Sequence, residues 1–254
     1  MTTERALIAG QPDVLSPLDD IFDLAWWAKR ADKELRHALL TNQDYRAEVN
    51  KWLLLFESKG WLTSNVIKRL KTASSWSSFY SKINEFRAAY FIELKLGVDL
   101  ENYESPTQSN KNVDFSGRQP GQDKSKIFIE VKTPLHHLDK AKRLRDGGGF
   151  DHGDIICGDL LKALAQAPQD SPFIVILSDD LVPHLELDLN AQDSIWMNFL
   201  GPCFNKISAV LMLGNVYKEE MYKMKWSVNQ NANNPIDASL FDGFERIFSY
   251  EHPH

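Results

Sequence analysis

Three Glu-x-Lys triplets occur in this 254-residue chain: Glu57-Ser58-Lys59, Glu93-Leu94-Lys95 and Glu130-Val131-Lys132. Such a triplet offers a carboxylate that can hold a hard cation, beside an ammonium that offsets charge growing on a phosphoryl group. The chemistry requires both side chains to point to one place. In a helix, residues two apart diverge by about 200°, and the first two triplets fall in helical stretches. In a strand, alternate side chains share a face. Only the third triplet lies in a convincing strand, the KIFIEVK run of Lys126 to Lys132, rich in β-branched and aromatic residues. Phe128, Glu130 and Lys132 then share one face, and Ile127, Ile129 and Val131 the other. For the triplet taken alone, a surface ion pair at a strand end is the competing reading.

A second carboxylate stands 16 residues upstream, in Asn112-Val113-Asp114-Phe115. A hairpin of that length sets Asp114 beside Glu130. Mg²⁺ takes oxygen ligands and is usually held by one or two carboxylates, with water and phosphate completing its shell. Asp114 read alone is equally a turn-capping aspartate. A third acid, Glu85, lies in a long helix whose main apolar face is Ile83, Phe86, Tyr90 and Leu94. Glu85 shares a second apolar stripe with Ala89, Ile92 and Leu96, where an acid is less expected than on a wet face; an ordinary surface glutamate is the alternative. His136 and His137 follow the triplet and are candidates for phosphate contact or proton transfer, or plain loop residues. Cys157, Cys203 and His152 show no zinc-ligand spacing. Gly147-Gly148-Gly149 does not follow a strand and lacks the Gly-Lys-Ser/Thr of a phosphate loop, so it reads as a flexible flap.

The elements that must position these residues follow from periodicity. Residues 1–75 read as a helical segment, with Ser16 and Pro17 opening a helix, the pair Trp26–Trp27 as core or seam, and further helices over 44–58 and 63–72. Residues 76–254 read as the main domain. A helix over 77–96 closes at Gly97, and strands follow at 98–103, 112–115 and 126–132. A helix over 159–167 stops at Pro168, and buried strands are expected at 173–177 and 209–213. Residues 195–200 suit a short helix and 222–228 an edge strand. The fold class is therefore α/β (α+β), with a central mixed β-sheet flanked by helices.

A helix glutamate, a strand aspartate, then a strand ending in Glu-Val-Lys-Thr-Pro resembles the PD-(D/E)XK nuclease superfamily, with its restriction-endonuclease-like fold, over roughly residues 77–213. Val113 stands where the family's proline would precede the aspartate. The resemblance implies that Asp114 and Glu130 hold Mg²⁺ (or Mn²⁺), that Lys132 acts on the attacking water, and that Glu85 supports a second metal or orients the site. Lys162 and Gln166, four apart on one helical face, match a position from which such families approach the scissile phosphate. Two solvent-facing polar residues are the alternative. The implied activity is a metal-dependent endodeoxyribonuclease, and the implied dimer would supply two sites for two strands. Restriction, phage defence and repair all use this fold.

The net charge of −6 argues against a nucleic-acid partner, but its distribution does not. Between Lys111 and Arg145 nine Lys/Arg, among them Lys140 and Arg143, face four Asp/Glu. That strip suits phosphate contact, or else a solvated surface. DNA stands ahead of RNA as the expected partner. No apolar run approaches the roughly 20 residues of a membrane span. The two cysteines and the lack of a secretory start make a cytoplasmic setting the simple expectation. A non-catalytic nucleic-acid-binding or assembly subunit is the alternative function.

Overall fold

The computed structural model describes residues 43–72, 76–107, 111–119, 126–134, 152–178, 204–214 and 223–246. The expectations for Ser16 and Pro17, Trp26–Trp27, His136, His137, Lys140, Arg143, Gly147 to Gly149, residues 195–200 and Cys203 lie outside the described residues. Two compact units divide at Tyr90 and Phe91, within one helix.

The first unit carries α1 (Gln43–Ser58), α2 (Ser64–Thr72) and most of α3 (Trp76–Lys95). The α1 residues Val49, Trp52, Leu53 and Phe56 are buried, at the 3–4 spacing that puts them on one stripe. Phe56 stacks on Phe86 of α3 with centroids 4.2 Å apart. Between Phe79 and Ala89, α3 buries Asn84, Glu85 and Arg87 alongside its apolar residues.

The second unit is built on a seven-stranded sheet. Its strands are β1 (Asp99–Pro106), β2 (Asn112–Arg118), β3 (Lys126–Lys132), β4 (Phe173–Ser178), β5 (Ala209–Gly214), β6 (Lys223–Val228) and β7 (Glu245–Arg246), in that spatial order. The first three form an antiparallel meander, β3, β4 and β5 run parallel, and β6 returns antiparallel to β5. The chain is thus an α/β protein, a central mixed sheet flanked by helices. Every residue of β4 and β5 is buried, as the continuous apolar runs FIVILS and AVLMLG require of strands covered on both faces. Helix α4 (His152–Leu164) lays Ile156, Leu160 and Ala163 on Phe128, Phe173, Val175, Leu177, Val210 and Met212.

Two features connect helix to sheet. Gly97, at φ 66°, takes the left-handed turn that ends α3. Glu93 then accepts the Leu100 amide at 2.9 Å, so the acid of the second Glu-x-Lys triplet ties the start of β1. Register between β1 and β2 shifts between Leu100 and Asn102, leaving Glu101 as the bulged residue. Glu101 pairs with Arg118 at 2.5 Å. Opposite the bulge, a Cβ on Gly117 would sit 2.4 Å from the Asp99 carbonyl oxygen and 3.0 Å from the Leu100 Cα, so only glycine fits.

Several sequence expectations change, among them β2, which runs to Arg118 rather than to 115. Helix α4 starts at His152 rather than 159 and ends at Leu164 rather than 167. Burial of Ile156 outweighs the helix cost of Gly158 at the front, and Pro168 biases Ala167 away from helical angles at the back. Strand β1 continues to Pro106, past the expected 103. Strand β6 is not an edge, because β7 pairs with it through Lys225–Glu245 and Trp226–Arg246.

Candidate functional site

The paired register of β2 and β3 runs from Arg118–Lys126 to Phe115–Ile129 and stops there. Beyond that point β2 still pairs with β1, through Ser105–Val113 and Pro106–Asn112. Strand β3 still pairs with β4, through Glu130–Val175 to Lys132–Leu177. The two strands therefore part at Asp114 and Glu130, each following its outer neighbour.

Side chains take over where the ladder ends. The Asp114 amide donates to Glu130 Oε2 at 3.3 Å, and the Val131 amide donates to Asp114 Oδ2 at 2.8 Å. Each carboxylate thus accepts a backbone N–H of the other strand, which a buried donor needs. These bonds fix both acids at the fork. Lys132 Nζ donates to Glu130 Oε1, forming an ion pair. The same ammonium donates to Gln166 Oε1 at 3.0 Å, and Gln166 Nε2 donates to the Asn112 carbonyl at 2.9 Å. Glu130 is 3% exposed, and the Lys132 side chain 19%. A carboxylate so buried is tolerated because it is paired and hydrogen-bonded.

The cluster lies at the carboxyl ends of the parallel strands, where open α/β sheets place ligand sites. Strand alternation explains Glu130 and Lys132 on one face. In the ionised forms, two carboxylates and one ammonium leave a local excess of one negative charge. Such a set has the chemistry to take a cation on its carboxylates and an anionic group on its ammonium.

The remaining candidates distribute as follows. Asp114, Glu130, Lys132 and Gln166 are brought together by the bonds above. Gln166 sits not on the helix face shared with Lys162 but in the turn after α4, with its amide bonded to the Ala163 carbonyl at 2.8 Å. Lys162 instead pairs with Asp159, one turn earlier, at 2.7 Å, and its own side chain is 61% exposed. Glu85 belongs to the first unit, is buried, and accepts Lys82 Nζ at 2.7 Å on both oxygens. The other triplets have local structural work: Glu93 ties β1, while Ser58 bonds the Leu55 carbonyl and Lys59 lies 5.8 Å over Trp61. Sequence reasoning missed Asn112, whose part is played by its backbone carbonyl and so leaves no side-chain signal.

Among the described residues no three His, Cys, Asp or Glu side chains converge as a metal-binding group. No helix among them is long and apolar enough to cross a membrane. No protein-family model, curated protein or solved structure matches the chain.

Proposed function

We propose that the chain is a metal-dependent phosphodiester hydrolase acting on nucleic acid, DNA ahead of RNA, in the manner of the PD-(D/E)XK superfamily that its motif resembles. The observation that carries the reading is the fork: Asp114 and Glu130 are locked together at a strand parting, with the Lys132 ammonium beside them.

The donor set fits a hard divalent cation such as Mg²⁺ or Mn²⁺. Both acids supply oxygen, and two carboxylates suffice where water and a phosphate oxygen fill the other positions. When bound, such a cation supplies an acidified water and offsets charge on the phosphoryl oxygens. The chain's own residues do the rest. Asp114 and Glu130 are held in place by each other's backbone, which keeps the acids preorganised. Lys132 brings a positive charge to the phosphoryl oxygens as water attacks phosphorus, the new P–O bond forms, the bond to the leaving oxygen breaks and a proton from the water ends, by way of solvent, on that oxygen. The basic run between Lys111 and Arg145 gives an acidic chain a place to hold the phosphate backbone.

The test is cleavage of supercoiled, linear and single-stranded DNA and of RNA, with Mg²⁺, with Mn²⁺ and with chelator. Asp114→Ala and Lys132→Ala are expected to lose at least about a hundredfold in rate while keeping their circular dichroism. Wild-type rates in both variants would remove the assignment.

One observation favours a second reading. Lys132 already neutralises Glu130, so the cluster can hold the fork closed without any cation. On that reading the chain is a non-catalytic nucleic-acid-binding or assembly subunit, and Mn²⁺ at millimolar concentration would not bind.

A further inference from the structure

Gln166 makes two bonds of opposite sense. The Asn112 carbonyl can only accept and the Lys132 ammonium can only donate, so both partners demand one orientation of the amide, with Nε2 on Asn112 and Oε1 on Lys132. Asn112 belongs to β2 and Lys132 to β3. The side chain therefore bridges the fork just beyond the acid pair.

Lys132 thus has two acceptors, and a cation treats them differently. Glu130 Oε1 carries charge and is one of the two carboxylate groups a cation would claim. The Gln166 oxygen is neutral, and its amide is anchored on the Asn112 carbonyl. A cation at Glu130 competes for the oxygen that Lys132 uses and repels the ammonium. We infer that Gln166 is a positioning residue that retains the Lys132 ammonium beside the acids after Glu130 gives up its bond to an incoming cation. This rests on the metal-dependent reading of the same site. It assigns Gln166 a part acting through Lys132, rather than a direct grip on phosphate.

The consequence is a coupling that depends on the lysine. Without the Gln166 oxygen, cation binding leaves the ammonium with one acceptor fewer, whereas the cation-free protein still offers it Glu130. Mn²⁺ binding by the full chain can be read by electron paramagnetic resonance of the free ion, with no nucleic acid present. Gln166→Met is expected to weaken Mn²⁺ binding by up to about tenfold, because the bond to the ammonium is lost in both states but only the cation-bound state lacks Glu130 as the second acceptor. Lys132→Met is expected to tighten binding, because a competitor leaves. In the Lys132→Met background, Gln166→Met is expected to change affinity by less than about twofold. Equal weakening in both backgrounds would overturn the inference, since Gln166 would then act on the fork and not through the lysine. Unchanged affinity in the single Gln166→Met variant would overturn it as well. Folded wild-type protein that binds no Mn²⁺ would instead overturn the metal-dependent reading, and this inference with it. Circular dichroism of each variant checks the fold, and Gln166→Leu serves as the second apolar replacement should the Met variant unfold.

Discussion

Replacing Asp114 separates what its charge does from what its hydrogen bond does. Its Oδ2 is the acceptor for the Val131 amide at 2.8 Å, and that residue is buried. Asp114→Asn keeps an oxygen for this donor and loses only the charge assistance, which costs about 1 kcal/mol or less. Asp114→Ala removes the acceptor and leaves a buried donor unsatisfied, at about 1–3 kcal/mol. Relief of repulsion with Glu130 offsets part of this, but Lys132 already neutralises that partner. A net loss of about 1–2 kcal/mol remains for the alanine variant, or roughly 2–8 °C in melting temperature for a unit of this size. Cleavage behaves differently. Both variants lack the carboxylate charge, so both are expected to lose at least about a hundredfold in metal-supported rate. The assays are differential scanning calorimetry with chelator and cleavage with Mn²⁺. An alanine variant that melts with wild type would refute the Val131 bond as a stabilising contact. An asparagine variant that cuts at the wild-type rate would refute the role given to the charge.

Other outcomes follow from the same geometry. Gly117→Ala drives a methyl into the β1 backbone, which cannot swing away, and is expected to cost about 1–3 kcal/mol in urea unfolding. Lys162→Ala removes a mostly exposed partner of Asp159 and is expected to shift stability by less than about 1 kcal/mol and leave cleavage unchanged, a control against Gln166. The Ser239 amide, then the Ser239 side chain, holds the Asp237 carboxyl below its ordinary range. Its folded pKa is thus depressed, so its contribution is full above the unfolded value and fades as pH falls through the folded one. Wild type and Asp237→Ala should therefore differ in melting temperature at neutral pH and converge in acid.

Much of the sheet was legible because burial on both faces leaves a plain mark. The runs at Phe173 and Ala209 have no other use for so many apolar residues in a row. Glu130 and Lys132 were legible because a two-residue period is local. The fork was not, since it depends on β2 and β3 each preferring an outer neighbour, a contest among distant residues. Strand β1 was only partly visible: its DLENYESP sequence breaks alternation because it has one neighbour among the described strands and a bulge. The place of Gln166 was hidden by the end of α4, where a turn re-aims a residue that a continued helix would have placed over Lys162. Short pieces such as the 3₁₀ turn Ala238–Phe241 and β7 carry too few residues for any period.

The bulge at Glu101 has a bearing on colloidal behaviour. Strand β1 is the outer member of the sheet on its side among the described strands, and an outer strand is a template on which other chains can add. This one is a poor template. It exposes Asp99 and Glu101, breaks its register at the bulge, and ends at Pro106, which has no amide hydrogen to offer. On the opposite side β7 is two residues long. Among the described strands, a sheet with a largely apolar centre thus has two margins that are poor templates for fibril-like growth, one acidic and broken by the bulge, the other two residues long.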